Sequence, residues 1–240
     1  VLHRSKRQCL DLPPKHRQLR EVCLDAVAAF TFQQRLEARV EDYRNRAALG
    51  QVHRDAEVLA VLTGLRLIGS IHKLPATVTL VRELLAGGEP VVLFTSFVAS
   101  ARQLCSQLEP HGPLALLTGA VPLRRRQALV DRFQRGQEQL LVATYGTAGL
   151  GFTLHRARHV VLLERPWTPG DTEQAEDRCH RIGMGTSLTS HWMRLGIADH
   201  LVDELITSKA ERIATVFDSP RTRQDHAVMA ERARRMLENW

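Results

Sequence analysis

Residues 139–184 read QLLVATYGTAGLGFTLHRARHVVLLERPWTPGDTEQAEDRCHRIGM, and their pattern decides the fold class. An apolar run, Leu140–Ala143, ends in Thr144, and a glycine-rich turn follows between Gly146 and Gly151. A second apolar run, Val160–Leu163, ends in Glu164. A Trp-Thr-Pro-Gly loop then leads into a polar helix candidate that carries Gln174, Arg178 and Arg181. Short apolar runs bounded by Gly, Pro and polar residues read as buried strands. Strand, turn, strand and arginine-bearing segment together form the layout of an α/β domain with its site at the strand ends.

The two arginines carry the sharpest chemical signal. Arg178 and Arg181 are three apart, so a helix running through both would show them on one face. A guanidinium fork engages two oxygens at once, which suits phosphate. Beside a transferring phosphoryl group, such a pair would offset charge that develops in the transition state. The bland alternative is a solvated arginine pair on a surface helix, common in so Arg-rich a chain. The flanking sequence weighs against it.

Working outward, Val91–Thr95 and Leu114–Leu117 are further strand candidates, and His191–Leu195 is the last. An amphipathic helix with Ala101, Leu104, Cys105 and Leu108 on one side follows the first of these, and a helix over Arg124–Phe133 follows the second. Apolar runs separated by helices, without tight hairpin signals, predict a mostly parallel sheet with flanking helices. The polar strand ends then share one working edge: Thr95 and Ser96, Thr118 and Gly119, Thr144 and Thr147. Hydroxyls and open backbone amides there can donate to phosphates. For any one of them taken alone, helix capping or a turn is the better reading; in series they favour phosphate contact. Trp167 sits in a turn enforced by Pro169 and Gly170, where it either covers an apolar patch or stacks on a base.

Residues 1–85 are of another kind. Leu12-Pro13-Pro14-Lys15 marks a turn or short extended piece. A helix is expected from about Glu21 to Ala48, with Val22, Ala26, Ala29, Phe30, Leu36 and Val40 inward, then separate helices over Val52–Ile68 and Thr77–Leu85. The division expected is a linker and helical elaboration over 1–85, the α/β lobe over 86–217, and a charged tail or brace helix over 218–240. Asp199 is a helix-cap candidate near the end of the lobe.

The formal charge of +7 favours a polyanionic partner as a prior. The arginine excess over lysine reflects base composition as readily as phosphate binding. The four cysteines, Cys9, Cys23, Cys105 and Cys179, lie far apart without metal-binding spacing, so no metal site is expected. They suit a reducing compartment. No signal peptide or run of membrane-spanning length stands out, and no membrane partner is expected. The chain starts at Val1 without methionine, which reads as a piece of a longer protein.

The 139–184 stretch resembles the last two motifs of the C-terminal RecA-like lobe of Swi/Snf-type DNA translocases, in helicase superfamily two. Thr144, Gly146–Gly151 and Thr153–Leu154 match the penultimate motif, and Gln174, Ala175, Arg178, His180, Arg181, Ile182 and Gly183 match the final QAxxRxHRIGQ pattern. The closing glutamine of that pattern is Met184 here. WTPG followed by QAEDR most resembles the branch that contains the strand-annealing helicases and their bacterial relatives. VLFTSF resembles the IFSQF motif, and LTGAVPLRRRQALVDRFQRG resembles the DGSTxxxxRxxxxxxFN stretch. The residues carried over from these are Ser96, Thr118, Gly119 and Arg126.

The resemblance implies a RecA-like lobe in which Arg178 and Arg181 act as arginine fingers. Gly149, Gly151, Gln174 and the two arginines would face nucleotide, and the strand-end residues and Trp167 would face double-stranded DNA. The sequence holds no GxxxxGK[ST] lysine and no DExx segment after an apolar strand. ATP and Mg²⁺ would thus be held mainly by an N-terminal RecA-like lobe of the same protein, the second implied partner, and this chain alone would not hydrolyse ATP. Two other readings stay open: a nucleic-acid-binding or protein-interaction scaffold derived from a translocase, and a lobe of an RNA-directed helicase of the superfamily. The location implied is cytoplasmic or nucleoid-associated in a bacterium and nuclear in a eukaryote. Oligomeric state is not legible.

Overall fold

The structure is a computed structural model and describes residues 12–51, 55–148, 151–196, 199–200, 203 and 231–237. Its described elements are β1 (Lys15–Glu21), α1 (Ala26–Ala48), α2 (Asp55–Ala86), β2 (Val91–Thr95), α3 (Val98–Leu108), β3 (Leu114–Leu117), α4 (Leu123–Gln134), β4 (Leu140–Thr144), β5 (His159–Leu162), α5 (Pro169–Cys179) and β6 (Leu188–Arg194), with a single helical turn at Tyr145–Ala148. The chain divides into two compact units. One comprises Val1–Arg20, Leu74–Pro166 and Gly170–Met193; the other comprises Glu21–Lys73, Trp167–Pro169 and Arg194–Trp240.

The first unit is built on a six-stranded sheet of order β1-β6-β5-β2-β4-β3. The pairings β2–β4, β2–β5, β3–β4 and β5–β6 are all parallel. Every residue of β2 and β4 is buried, as strands covered on both faces require. One face carries Val92, Phe94, Ala115, Leu117, Leu141 and Ala143, against Val130 and Phe133 of α4 and Ala175 and Cys179 of α5. The alternate residues point the other way, and a right-handed crossover from β2 to β3 puts α3 on that side. Sheet order reverses at β2, whose neighbours β4 and β5 lead to opposite edges. That is the switch point at which open α/β sheets place their sites. The expected fold, a RecA-like α/β lobe with flanking helices after a helical elaboration, is the one observed.

Four local expectations need correction. LPPK leads into a strand: β1 joins the sheet at its edge, with Leu188 N donating to Pro14 O at 3.0 Å. The first helix therefore starts later, at Ala26, where the Asp25 carboxylate caps it by accepting from Ala28 N at 2.8 Å. Its buried stripe is Phe32, Leu36, Val40 and Tyr43, with Phe30 64% exposed on the opposite side, because residues two apart on a helix point in nearly opposite directions. Finally, the two helices expected over 52–68 and 77–85 are one, α2, which runs through Pro75. A mid-helix proline forfeits one backbone bond. Lys73, Leu74 and Thr77 around it are fully buried, and packing holds the helix straight through.

By length and composition Glu57–Ala86 could cross a membrane, but half of that window is buried inside the protein, as in a core helix. Lys73 ion-pairs with Asp199 at 2.8 Å in the second unit, and Asp199 also accepts from Leu195 N at 2.6 Å. Of the charged tail, only residues 231–237 are described, and they are helical.

A histidine pair lies between β5 and β6. Arg20 Nε donates to His191 Nδ1 at 3.3 Å, and the His191 and His159 rings meet through Nε2 and Nδ1 at 3.0 Å. A guanidinium can only donate, so His191 Nδ1 accepts and His191 Nε2–H donates to His159. Protonating His191 would set N–H against N–H. Burial, then the neighbouring His159 and Arg20, push its pKa from 6.5 down to about 4. The folded state keeps His191 neutral while the unfolded chain takes up a proton below its ordinary pKa. Stability therefore falls as pH drops from 6.5 through about 4. His191→Gln should flatten that limb of the melting temperature against pH; an unaltered profile would remove the pair as its cause.

Candidate functional site

α5 starts at Pro169-Gly170 and turns Thr172, Ala175, Glu176 and Cys179 into the protein, a stripe at helical spacing. Gln174 is left exposed and Arg178 half-buried. The helix ends at Cys179, so Arg178 and Arg181 do not share a helix face as the spacing predicts. Gly183 takes a φ of +98°, and Met184 N donates to Arg181 O at 3.1 Å. The turn brings Arg181 round to the same place: Gln174, Arg178 and Arg181 line one open cavity of about 590 Å³, with Leu12, Gly170, His180 and the carboxylates of Glu173 and Asp177. Arg178 Nε is buried without a hydrogen-bond partner among the described residues. An orphaned guanidinium nitrogen beside an exposed arginine is a donor set that fits an anionic ligand such as a nucleotide phosphate.

Two contacts hold this segment. Leu154 N donates to Arg178 O at 2.7 Å, and His180 Nε2 lies 2.7 Å from Pro13 O. The first links the two motif stretches. The second ties the final motif to the LPPK segment.

The residue that sequence reasoning missed is Glu176. Its carboxylate is fully buried and accepts from Lys15 Nζ at 3.0 Å, from Arg17 Nη2 at 2.6 Å, from Ser190 Oγ at 2.8 Å and from Trp192 Nε1 at 3.0 Å. Burial alone would raise its pKa; the Arg17 hydrogen bonds and the charges of Lys15 and Arg17 reverse this and hold it below the usual carboxylate range. Trp192 in turn lies under the guanidinium groups of Arg165 and Arg17, 4.6 and 5.1 Å from its ring centre. The available signal was the stripe itself: Glu176 occupies an inward position of α5, and a carboxylate there needs partners.

At the strand ends the hydroxyls of Thr95 and Thr147 are committed internally, and Thr118 and Thr144 are buried. Thr95 is buried, and its Oγ1 donates to Glu164 at 3.0 Å, while Ser96 N donates to the same carboxylate at 2.9 Å. Thr147 Oγ1 bonds Thr144 O at 2.6 Å and Leu117 O at 3.1 Å, and Thr144 is itself buried. Thr118 is buried too, its carbonyl accepting from Val121 N. The expected row of free hydroxyls at Thr95, Thr118, Thr144 and Thr147 is therefore not what the edge presents. Strand ends must satisfy buried polar groups before they face solvent. Gly119 is exposed and Ser96 half-buried. Arg126 spans the turn between them and α4, donating to Val121 O at 2.7 Å and Gly119 O at 2.9 Å.

Gly151, at φ +82°, lines a different cavity of about 310 Å³ with Gln134 and His155. Gly149 lies outside the described residues. Trp167, in the second unit, is half-buried with the Arg66 guanidinium 4.4 Å from its ring centre. Among the described residues no group of three His, Cys, Asp or Glu is placed to hold a metal ion. Cys179 is buried and inert, its thiol pKa pushed up by burial.

The helicase conserved C-terminal domain family matches residues 75–183. Over these residues the chain is related to the RecA-like domains of helicase superfamily two, and to Swi/Snf-type translocases among them. Its relatives include the DNA annealing helicase and endonuclease ZRANB3 of Mus musculus, 29% identical over 223 residues, covering 91% of this chain and 20% of that protein. Helicase swr-1 of Neurospora crassa is 34% identical over 142 residues, covering 58% of this chain and 8% of that protein. The chain thus spans a fifth or less of these two relatives. Among solved structures, the C-terminal part of the Fun30 ATPase domain superposes with a TM-score of 0.69 at 15% identity, covering 95% of this chain and 99% of that one. The Sulfolobus solfataricus SWI2/SNF2 ATPase core in complex with dsDNA gives 0.69 at 22% identity, covering 94% and 50%. At these identities the superpositions show the fold.

Proposed function

We propose that this chain is the second motor lobe of an ATP-dependent double-stranded DNA translocase, and that it supplies arginine fingers to a nucleotide held mainly by an N-terminal RecA-like lobe. The observation that carries this reading is the cavity where Gln174, Arg178 and Arg181 converge, with Arg178 Nε left without a partner among the described residues. ATP with Mg²⁺ supplies the phosphoryl group when bound. Arg178 and Arg181 would hold its terminal oxygens and offset the charge spread over them in an in-line transfer. Gln174, one turn before Arg178, would orient the same group through its amide. DNA contacts fall to the loops that carry Ser96 and Gly119, of which Gly119 is exposed and Ser96 half-buried. Thr118 and Arg126 shape that loop from behind, and Trp167 remains a candidate for stacking. Location follows the partner: nuclear in a eukaryote, cytoplasmic or nucleoid-associated in a bacterium.

The test separates the lobe from the whole. The full-length protein should hydrolyse ATP with stimulation by duplex DNA. The 240-residue chain should bind duplex in a salt-sensitive way and hydrolyse ATP at background rates. Robust turnover by the chain alone would overturn the split site.

A further inference from the structure

A third cavity, of about 530 Å³, shares no lining residue with the one where Gln174, Arg178 and Arg181 converge. It sits at the far edge of the sheet, where β3 is the last strand and, among the described residues, its side away from β4 has no strand partner. α3 contributes Arg102, β3 contributes Leu116, and the following loop and α4 contribute Val121, Arg125, Leu129 and Arg132. Leu116, Val121 and Leu129 are each half-buried, so the floor is apolar and open. Arg102, Arg125 and Arg132 are all exposed on the rim, and among the described residues no acidic side chain lines the groove. Arg132 is shared with the buried carboxylate of Glu138.

An open strand edge offers a row of backbone donors and acceptors to an added strand. An apolar floor beside it takes every second side chain of such a strand. The arginine rim selects the charge of the rest. A second copy of this chain would bring its own arginines against these, which disfavours edge-to-edge pairing. Single-stranded nucleic acid needs aromatic platforms, and none lines the groove. A duplex would leave the apolar floor unfilled.

We infer that this groove docks an extended acidic segment of a partner protein, its apolar side chains on Leu116, Val121 and Leu129 and its carboxylates on Arg102 and Arg125. The probe is a short labelled peptide that alternates Glu with Leu, titrated into the 240-residue chain by fluorescence anisotropy. It should bind, and a peptide with Lys for each Glu should bind at least ~10-fold more weakly. Added salt should weaken the Glu peptide. The double variant Arg102→Glu with Arg125→Glu should lose it by about the same factor. Ala128→Trp, which fills the groove from an exposed helix position, should lose it without reversing any charge. Equal binding of the two peptides, or binding of neither, would overturn the proposal. So would displacement of the Glu peptide by duplex DNA, which would assign the rim to nucleic acid. A dimer seen in sedimentation and dissolved by the double variant would assign the edge to a second copy.

Discussion

ATP turnover by the full-length protein should fall by roughly 100-fold or more when Arg181 is replaced by alanine, a loss of about 3 kcal/mol of transition-state stabilisation. Arg181 lies beyond the end of α5, on an exposed turn, and lines the same cavity as Gln174 and Arg178. An exposed side chain on a turn contributes little to folding, so the variant should melt as the parent does. Its cost appears only where charge develops on the transferred group. Duplex binding should be largely kept, because the proposed DNA contacts at Ser96 and Gly119 are on other loops. Arg178→Lys is the companion variant. It keeps the charge but not the planar fork, and it should also be impaired if the orphaned Nε donates to phosphate. Turnover at the parental rate in Arg181→Ala would remove Arg181 from the catalytic list, and a matching loss of duplex affinity would move it to DNA binding.

Glu176→Ala should destabilise the sheet unit by about 2–4 kcal/mol, less than for a wholly buried ion pair because Lys15 and Arg17 keep partial access to water. The substitution deletes the acceptor shared by Lys15, Arg17, Ser190 and Trp192. It leaves the Ser190 hydroxyl buried and β1 tied to α5 only by the longer, more exposed ion pairs of Lys15 with Asp177 and Arg17 with Glu173. Glu176→Gln can still accept from Ser190 and Trp192 but loses the charge, so it should fall between. Urea unfolding of the chain reads the order directly, and a midpoint unchanged in Glu176→Ala would show that the cluster contributes nothing net. The pH dependence has a definite sign. The folded-state pKa is held down, so the stabilisation is present above the ordinary carboxylate pKa and is lost as pH falls through the lowered value. That loss sets in at lower pH than the one from His191, so the two acid limbs can be resolved with single variants.

Much of the lobe was legible because its strands are covered on both faces. Val91–Thr95 and Leu140–Thr144 read as continuous apolar runs, and the structure places both at the centre of the sheet within the same bounds. The final motif was legible as a cluster, since Gln174, Arg178 and Arg181 line one cavity. The edge strand β1 was not, since KHRQLRE is polar and mostly exposed, without an alternation to betray it. Nor was the fate of the threonines. A hydroxyl at a strand end looks the same in sequence whether it faces a phosphate or, like Thr95, a buried glutamate sixty-nine residues on.

The sequence by itself determined the buried central strands and the helices between them, because hydrophobic period and residue type are local properties. Only the tertiary structure decided how Arg178 and Arg181 converge, through a turn beyond the helix end, and that Glu176 draws Lys15 and Arg17 from the far side of the chain. Those outcomes rest on desolvation: a charge taken out of water must find its partner wherever the fold brings one, and distance along the chain does not enter.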